Sequence, residues 1–331
     1  MTDNLNPQIS KRRDFRMLSG IYRAVKEAVA RFNLVWGDRT THRKGHCEMT
    51  PPAHDELNLR RDLEIALADD QLRLDYQPKG RTKDQEVVGF EALVRWQHPQ
   101  LGLIGPSLFI PMAEKHGLIY AVGEWVLRAA CREAATWSKP LRIAANVSAL
   151  QFRDDAFPTL VASVLMQTGL APQRLELEIT ETAFLEDFSR AAAVLAQFRS
   201  LGVQIAIDDF GTGYSNLSLV QSLSLDRLKI DGSFIGNLDC LPQSAAIVRA
   251  VIGLAHSLDI GVTAECVETE DQRAFLIQEN CDEIQGYLLG RPESIGTYRK
   301  IVSASPKGAA IKLAHGTIVQ NGAARANGLA R

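Results

Sequence analysis

Acidic, amide and cationic side chains recur in this 331-residue chain inside short apolar, β-branched runs, where such residues are out of place. Glu91 lies within one run, Asn146 ends another and Glu178 comes near the end of a third. Asp208 and Asp209 close a fourth, Lys229 falls late in a fifth, Glu265 and Glu268 close a sixth, and Gln285 lies on a seventh. Carboxylate and amide oxygens without His or Cys are hard ligands, which suit Mg2+ or Mn2+ better than zinc. If these positions converged they would require a cation, because like charges a few ångströms apart in a partly buried site cannot all ionise. Each position also has an ordinary reading: a strand-end Asp caps a helix, a strand Glu pairs with a nearby Lys or Arg, and Asn146 before Ser148 starts a turn. It is the recurrence on successive runs that points to a site. Asp208-Asp209 lead into Phe210-Gly211-Thr212-Gly213, whose glycines either let backbone approach a ligand or make an ordinary tight turn.

The elements that must position these residues alternate. Strand-like runs fall at Leu72 to Gln77, Gly89 to Trp96, Arg142 to Ser148, Leu175 to Thr180, Val203 to Asp209, Leu225 to Asp231, Gly261 to Val267 and Glu283 to Gly286. Helical patterns lie between most of them, at Tyr120 to Trp137, Phe157 to Gln167, Phe184 to Leu201, Ser244 to Leu258 and Glu270 to Asn280. Eight such units predict an α/β fold, a TIM-like (β/α)8 barrel whose strand ends meet at one mouth. The segment from Lys79 to Val88 is too short and polar for a crossover helix, so the first strand is expected to run antiparallel in a hairpin with the second. Because barrel interiors are ordinarily apolar, the carboxylates are expected at the strand ends.

Composition sets the outer limits. At 46% hydrophobic and 23% charged residues, the chain can bury a sizeable core. Five cysteines (Cys47, Cys131, Cys240, Cys266, Cys281) without a C-x-x-C pair argue against a disulfide framework and fit a reducing, cytoplasmic setting. No stretch is long and apolar enough for a transmembrane segment, and the N-terminus lacks a signal-peptide pattern. The net charge of -2 is uneven: residues 1–50 hold ten Lys/Arg against five Asp/Glu, leaving 27 against 34 for the rest. An acidic main body makes a nucleic-acid polymer an unsuitable partner. Residues 1–54 read as a basic N-terminal extension with one amphipathic helix around Ser19 to Phe32 and a Thr50-Pro51-Pro52 linker. Its helix is solvated, packs on the domain, or docks a partner or membrane surface. His42, His46 and Cys47 lack a second ligand cluster and read as surface residues. Residues 55–304 form the barrel, and 305–331, rich in Gly, Ala and Asn, read as a flexible tail.

Glu91-Ala92-Leu93-Val94-Arg95-Trp96 with His98-Pro99 resembles the motif of EAL-domain cyclic-di-GMP phosphodiesterases. The likeness continues through Phe109-Ile110-Pro111, Asn146-Val147-Ser148, Glu178-Ile179-Thr180-Glu181, Asp208 to Ser215, Lys229-Ile230-Asp231, Glu265-Cys266-Val267-Glu268 and Gln285-Gly286-Tyr287. Ordered motifs over some 250 residues are a specific signal, unlike a lone tripeptide.

The resemblance implies metal-dependent hydrolysis of cyclic di-GMP to linear pGpG with Mg2+ or Mn2+, two ions per site. Carried over by position, Glu91, Asn146, Glu178 and Asp208 hold the first ion; Asp208, Asp209 and Glu265 hold the second. Lys229 then orients the attacking water or stabilises developing charge, and Glu265 is left open between ligand and general base. Leu93, Arg95 and Gln285 are expected to line the substrate site. Arg95 lies four residues after Glu91, on the same strand face, as a phosphate donor or in an ion pair with an acid. Glu181 and Glu268 are expected to brace the Gly211 to Asn216 loop and the ligands from behind. Asn216 in place of a common Ser and Leu289 in place of a common aromatic depart from the family pattern. The resemblance also implies a homodimer, and because residues 1–54 are too short for a usual sensory domain and hold no GGDEF-type cyclase domain, a stand-alone enzyme is expected. The alternative is a catalytically silent cyclic-di-GMP receptor or docking module, and a third reading changes the nucleotide.

Overall fold

A computed structural model describes residues 56–184, 187–211, 223, 225–238 and 241–303. The expectations for residues 1–54 and 305–331, and for the loop beyond Gly211 to Asn216, lie outside these. Among the described residues the strands are β1 (Leu72–Arg81), β2 (Val87–His98), β3 (Gly102–Ile104), β4 (Arg142–Val147), β5 (Leu175–Thr180), β6 (Gln204–Phe210), β7 (Arg227–Ile230), β8 (Gly261–Ala264) and β9 (Glu283–Gln285). The helices of at least two turns are α1 (Glu56–Ala68), α2 (Pro106–Lys115), α3 (Ile119–Ala135), then α5 (Phe157–Thr168), α6 (Phe188–Leu201), α8 (Pro242–His256) and α9 (Glu270–Gln278). The single turns α4 (Ala149–Phe152), α7 (Gly232–Ile235) and α10 (Arg299–Val302) complete the set.

The strands run in the order β1-β9-β8-β7-β6-β5-β4-β2-β3, and β1 also pairs with β2, closing an eight-strand barrel with β3 as a flap on β2. The pairs from β2–β4 round to β8–β9 are parallel. Strand β1 is antiparallel to both neighbours, as the short polar connection required. Two strand boundaries differ from the sequence expectation in a way that matters. Strand β1 runs on through Pro78 to Arg81, and β8 stops at Ala264, which leaves Glu265 and Glu268 on the connection to α9.

The period of two decides what each wall faces. On β4, β5, β6 and β7 the residues Ile143, Ala145, Val147, Leu175, Leu177, Ile179, Ile205, Ile207, Leu228 and Ile230 are buried in the apolar core with the helices. Each fully buried aliphatic side chain there is worth about 1.5–3 kcal/mol. Helix α3 meets that wall with Ile119, Val122, Val126, Ala130 and Ala134, a helical stripe. The alternate residues point into the lumen, and here the expectation of an apolar interior is corrected: Lys79, Glu91, Glu176, Glu178, Arg227, Lys229, Glu283 and Gln285 are all buried. The core therefore lies between barrel and helices, while the lumen is a polar network.

Several of the matching motif residues build the frame. Ser148 caps α4, accepting from the Leu150 amide at 3.2 Å and donating to Glu114 at 2.6 Å. Asp231 caps α7 through the Ser233 amide at 3.0 Å. His98 Nδ1 accepts the amides of Gln100 and Leu101, both at 3.1 Å, which turns β2 into β3.

Candidate active site

Parallel register sets neighbours side by side: Asn146 pairs with Glu178, and Thr180 with Asp208. The antiparallel strand places Gln77 opposite Glu91 and Lys79 opposite Gln285. Glu91 is buried, and both of its oxygens are held at 2.6 Å, one by Asn146 Nδ2 and the other by Gln285 Nε2. Gln285 Nε2 also reaches Gln77 Oε1 at 3.0 Å. The Gln285 side-chain oxygen, Oε1, is buried and has no hydrogen-bond donor among the described residues. Gly286 follows with φ 155°, where a Cβ would lie 2.2 Å from the Val267 carbonyl, so only glycine lets the chain leave β9 here.

Lys229 occupies the centre of the opposite wall. Its side chain is 1% exposed, and Nζ lies 2.7 Å from Glu178, 3.0 Å from Asp208 and 2.7 Å from Glu265. Burial works against its charge, but Asp208, Glu178 and Glu265 hold the ammonium well above its ordinary pKa. Burial, followed by repulsion from Glu91, raises Glu178 despite Lys229 and Lys79. Glu265 is raised well above the carboxylate range, by burial first and then by Asp208 and Glu91, against the pull of Lys229. Glu91 is lowered, because Lys229 and Lys79 outweigh its burial. Asp209 is pushed up to about 6 by burial, then by Asp208 and Asp231, even though much of the residue faces solvent. Two residues beside these ligand candidates, Asp209 and Cys266, hold φ of 52° and 54°, backbone that non-glycine residues seldom adopt.

Beneath this rim lies a second charged layer that sequence reading missed. Lys79 Nζ is 2.6 Å from Glu176 and also bonds Glu178. Arg227 reaches Glu176 at 3.2 Å and Glu283 at 3.1 Å; Arg142 bonds Glu283 and comes within 3.8 Å of Glu176. Burial raises Glu176, but Lys79, Arg227 and Arg142 overcome it and leave the carboxyl below its usual range. The alternation Arg142-Ala144-Asn146, Glu176-Glu178 and Arg227-Lys229 was the available signal: it puts both layers on one strand face.

The rim fits a divalent cation. Oxygens of Asp208, Asp209 and Glu265 all lie within 4.8 Å of one another. Among the described residues, five carboxylates there (Glu91, Glu178, Asp208, Asp209, Glu265) have Lys229 beside them and share Lys79 with the base, and the undonated Gln285 side-chain oxygen adds a neutral acceptor. The donors are all hard oxygens.

The remaining site candidates are more dispersed. Arg95 is paired with Asp75 at 3.2 Å, the ion-pair reading, and Leu93 is half-buried opposite Asp75. Glu181 Oε1 accepts the Gly211 amide at 3.0 Å, at the start of the loop it was expected to brace. Glu268 is exposed, and its amide donates to Gln272 at 2.8 Å; its expected loop partners lie outside the described residues. No described helix is long and apolar enough to cross a membrane.

Comparison with known proteins agrees with this geometry. An uncharacterized signaling protein of Caulobacter vibrioides is 53% identical over 262 residues, 79% of this chain and 32% of that protein. The bifunctional diguanylate cyclase/cyclic di-GMP phosphodiesterase MucR of Pseudomonas aeruginosa is 44% identical over 258 residues, 76% of this chain and 38% of that protein. The chain thus spans about a third of the length of these relatives. A solved structure described as the PaMucR phosphodiesterase in complex with c-di-GMP superposes with a TM-score of 0.71 at 44% identity, covering 73% of this chain and 99% of that one. The EAL domain family model matches residues 60–292, a span that contains every rim residue described above, and the chain belongs to the EAL-domain family.

Proposed function

We propose that the barrel, residues 55–304, is a divalent-metal-dependent phosphodiesterase that hydrolyses one ester of cyclic di-GMP to linear pGpG. The observation that carries this reading is the cluster of Glu178, Asp208, Asp209 and Glu265 on one rim, with Lys229 the cation among them. The names of MucR and of its c-di-GMP complex support the substrate. Glu91, Asn146, Glu178 and Asp208 would hold one Mg2+ or Mn2+, and Asp208, Asp209 and Glu265 a second. When bound, such ions supply Lewis-acid polarisation of the phosphate and neutralise charge.

The chain's own groups do the rest. The water oxygen bonds to phosphorus as the bond from phosphorus to the ribose 3′ oxygen breaks; the 3′ oxygen takes up a proton and leaves as a hydroxyl, and the phosphate remains on the 5′ side. The Lys229 ammonium, fixed by three carboxylates, stabilises negative charge developing on the phosphate without reorganising. Glu265, 2.7 Å from Lys229 Nζ on the same rim, serves as ligand or as general base for the water. Arg95, oriented by Asp75, is a charge-assisted donor for the phosphate, and Leu93 on β2 and Gln285 on β9 line the substrate site. Glu181 positions the Gly211 turn beside the ligands. A homodimer in the cytoplasm completes the proposal, with light scattering as the check on its mass.

Incubating the purified chain with cyclic di-GMP and Mg2+, with and without a chelator, tests the proposal directly. pGpG should appear only with metal, and Glu91→Ala should abolish it. Binding without turnover would instead make the barrel a receptor, and wild-type turnover by Glu91→Ala would refute the site.

A further inference from the structure

The metal reading of the rim leaves Lys79 unexplained, and the following inference rests on that reading. Lys79 is 2% exposed and enters the lumen from the antiparallel strand β1. Its Nζ lies 2.6 Å from Glu176 and is also bonded to Oε1 of Glu178, two residues farther along β5 on the same face. Glu176 has other cations, with Arg227 at 3.2 Å and Arg142 at 3.8 Å. Glu178 has Lys229, at 2.7 Å on its second oxygen, and Lys79. The distinctive partner of Lys79 is therefore Glu178. A carboxylate offers about four acceptor positions, so one lysine on each oxygen fixes its plane and leaves an acceptor site on each oxygen unused.

We propose that Lys79 is a positioning residue for the divalent-ion site. From the base of the lumen it pins the Glu178 carboxylate against the pull of Lys229, and Glu176 offsets its charge so that the pin does not repel the ion. Partners that orient a metal's ligands typically account for 10–100-fold in affinity.

The decisive protein is the full chain carrying Lys79→Met and Glu176→Gln together. This pair removes one positive and one negative charge, so the net field at the rim is retained while the pin is lost. Mn2+ is titrated into metal-free protein and followed by its electron paramagnetic resonance signal, alongside thermal unfolding without metal. The double variant should bind Mn2+ about 10–100-fold more weakly than wild type while unfolding within a few degrees of it, a combination that a purely structural role would not produce. Wild-type Mn2+ affinity in the double variant overturns the proposal. Should that variant not fold, Lys79→Gln with Glu176→Gln keeps amide donors in place of the ammonium. It should bind Mn2+ at least about fivefold more weakly, and equal affinity again overturns the idea. Wild-type protein that binds Mn2+ but leaves cyclic di-GMP intact defeats the proposed reaction and not this assignment. Wild-type protein that binds no Mn2+ defeats both.

Discussion

The base and the rim of the lumen are built from the same kinds of side chain on the same strands, yet they balance charge differently. At the base, Arg142, Arg227 and Lys79 serve Glu176 and Glu283, and of the three only Lys79 also reaches up to Glu178. At the rim, Lys229 stands among Glu178, Asp208 and Glu265, with Glu91 and Asp209 nearby. The base holds more cations than carboxylates; the rim holds more carboxylates than cations. Burying charge is tolerable only when it is paired or neutralised, so the acid-rich layer is the one where the proposed ions would bind. Residues two apart on β7, Arg227 below and Lys229 above, carry the contrast in a single strand.

Three substitutions would sharpen or break this contrast. Arg227→Met should remove about 3–5 kcal/mol of unfolding free energy, measured by urea denaturation, because Glu176 and Glu283 lose a buried partner. Turnover per folded molecule should change less than about twofold. If the stability loss were negligible and turnover collapsed, the base would belong to the chemistry. Lys229→Met should lower kcat about 10²–10³-fold, the scale of losing a donor aimed at developing negative charge. Its Mn2+ affinity should be undiminished, because the cation among the ligands is gone; weaker binding would show Lys229 organising the ion site. The smallest effect concerns Asp209. Its raised pKa means that the native state favours the protonated form, so ionisation destabilises the metal-free fold above about pH 6 and that penalty disappears at lower pH. Asp209→Asn, whose side chain tolerates the positive φ, should raise the metal-free unfolding temperature by a few degrees at pH 7 and leave it unchanged at pH 4. Equal shifts at both pH values would sever the link to ionisation.

The wall of the barrel was legible because each of the runs from Arg142 to Ile230 buries alternate aliphatics, and alternation is a local property. The convergence of Glu91, Asn146, Glu178 and Asp208 followed from fold class, since parallel strands deliver equivalent positions to one rim. What escaped was mostly hidden by proline or by distance. Pro78 made β1 look finished at Gln77, and Pro106 with the internal Pro111 disguised α2. Helix α1, which begins at Glu56 soon after Pro51-Pro52, was not among the helical patterns assigned from sequence. The base layer was illegible for a different reason: Lys79 and Glu176 are 97 positions apart, and no local pattern tells a luminal lysine on one strand which acid on another will receive it.

The backward first strand has a consequence for how the molecule comes into being. Its hairpin with β2 is formed from neighbours in sequence, but its other edge waits for Glu283, Ile284 and Gln285. Chains emerge from the ribosome N-terminus first, so for most of synthesis the growing sheet has two open edges, the kind of surface that invites mispairing. Gln285, which secures Glu91, is among the last residues of the ring to arrive. Closure of the ring and the anchoring of Glu91 therefore depend on the same three residues.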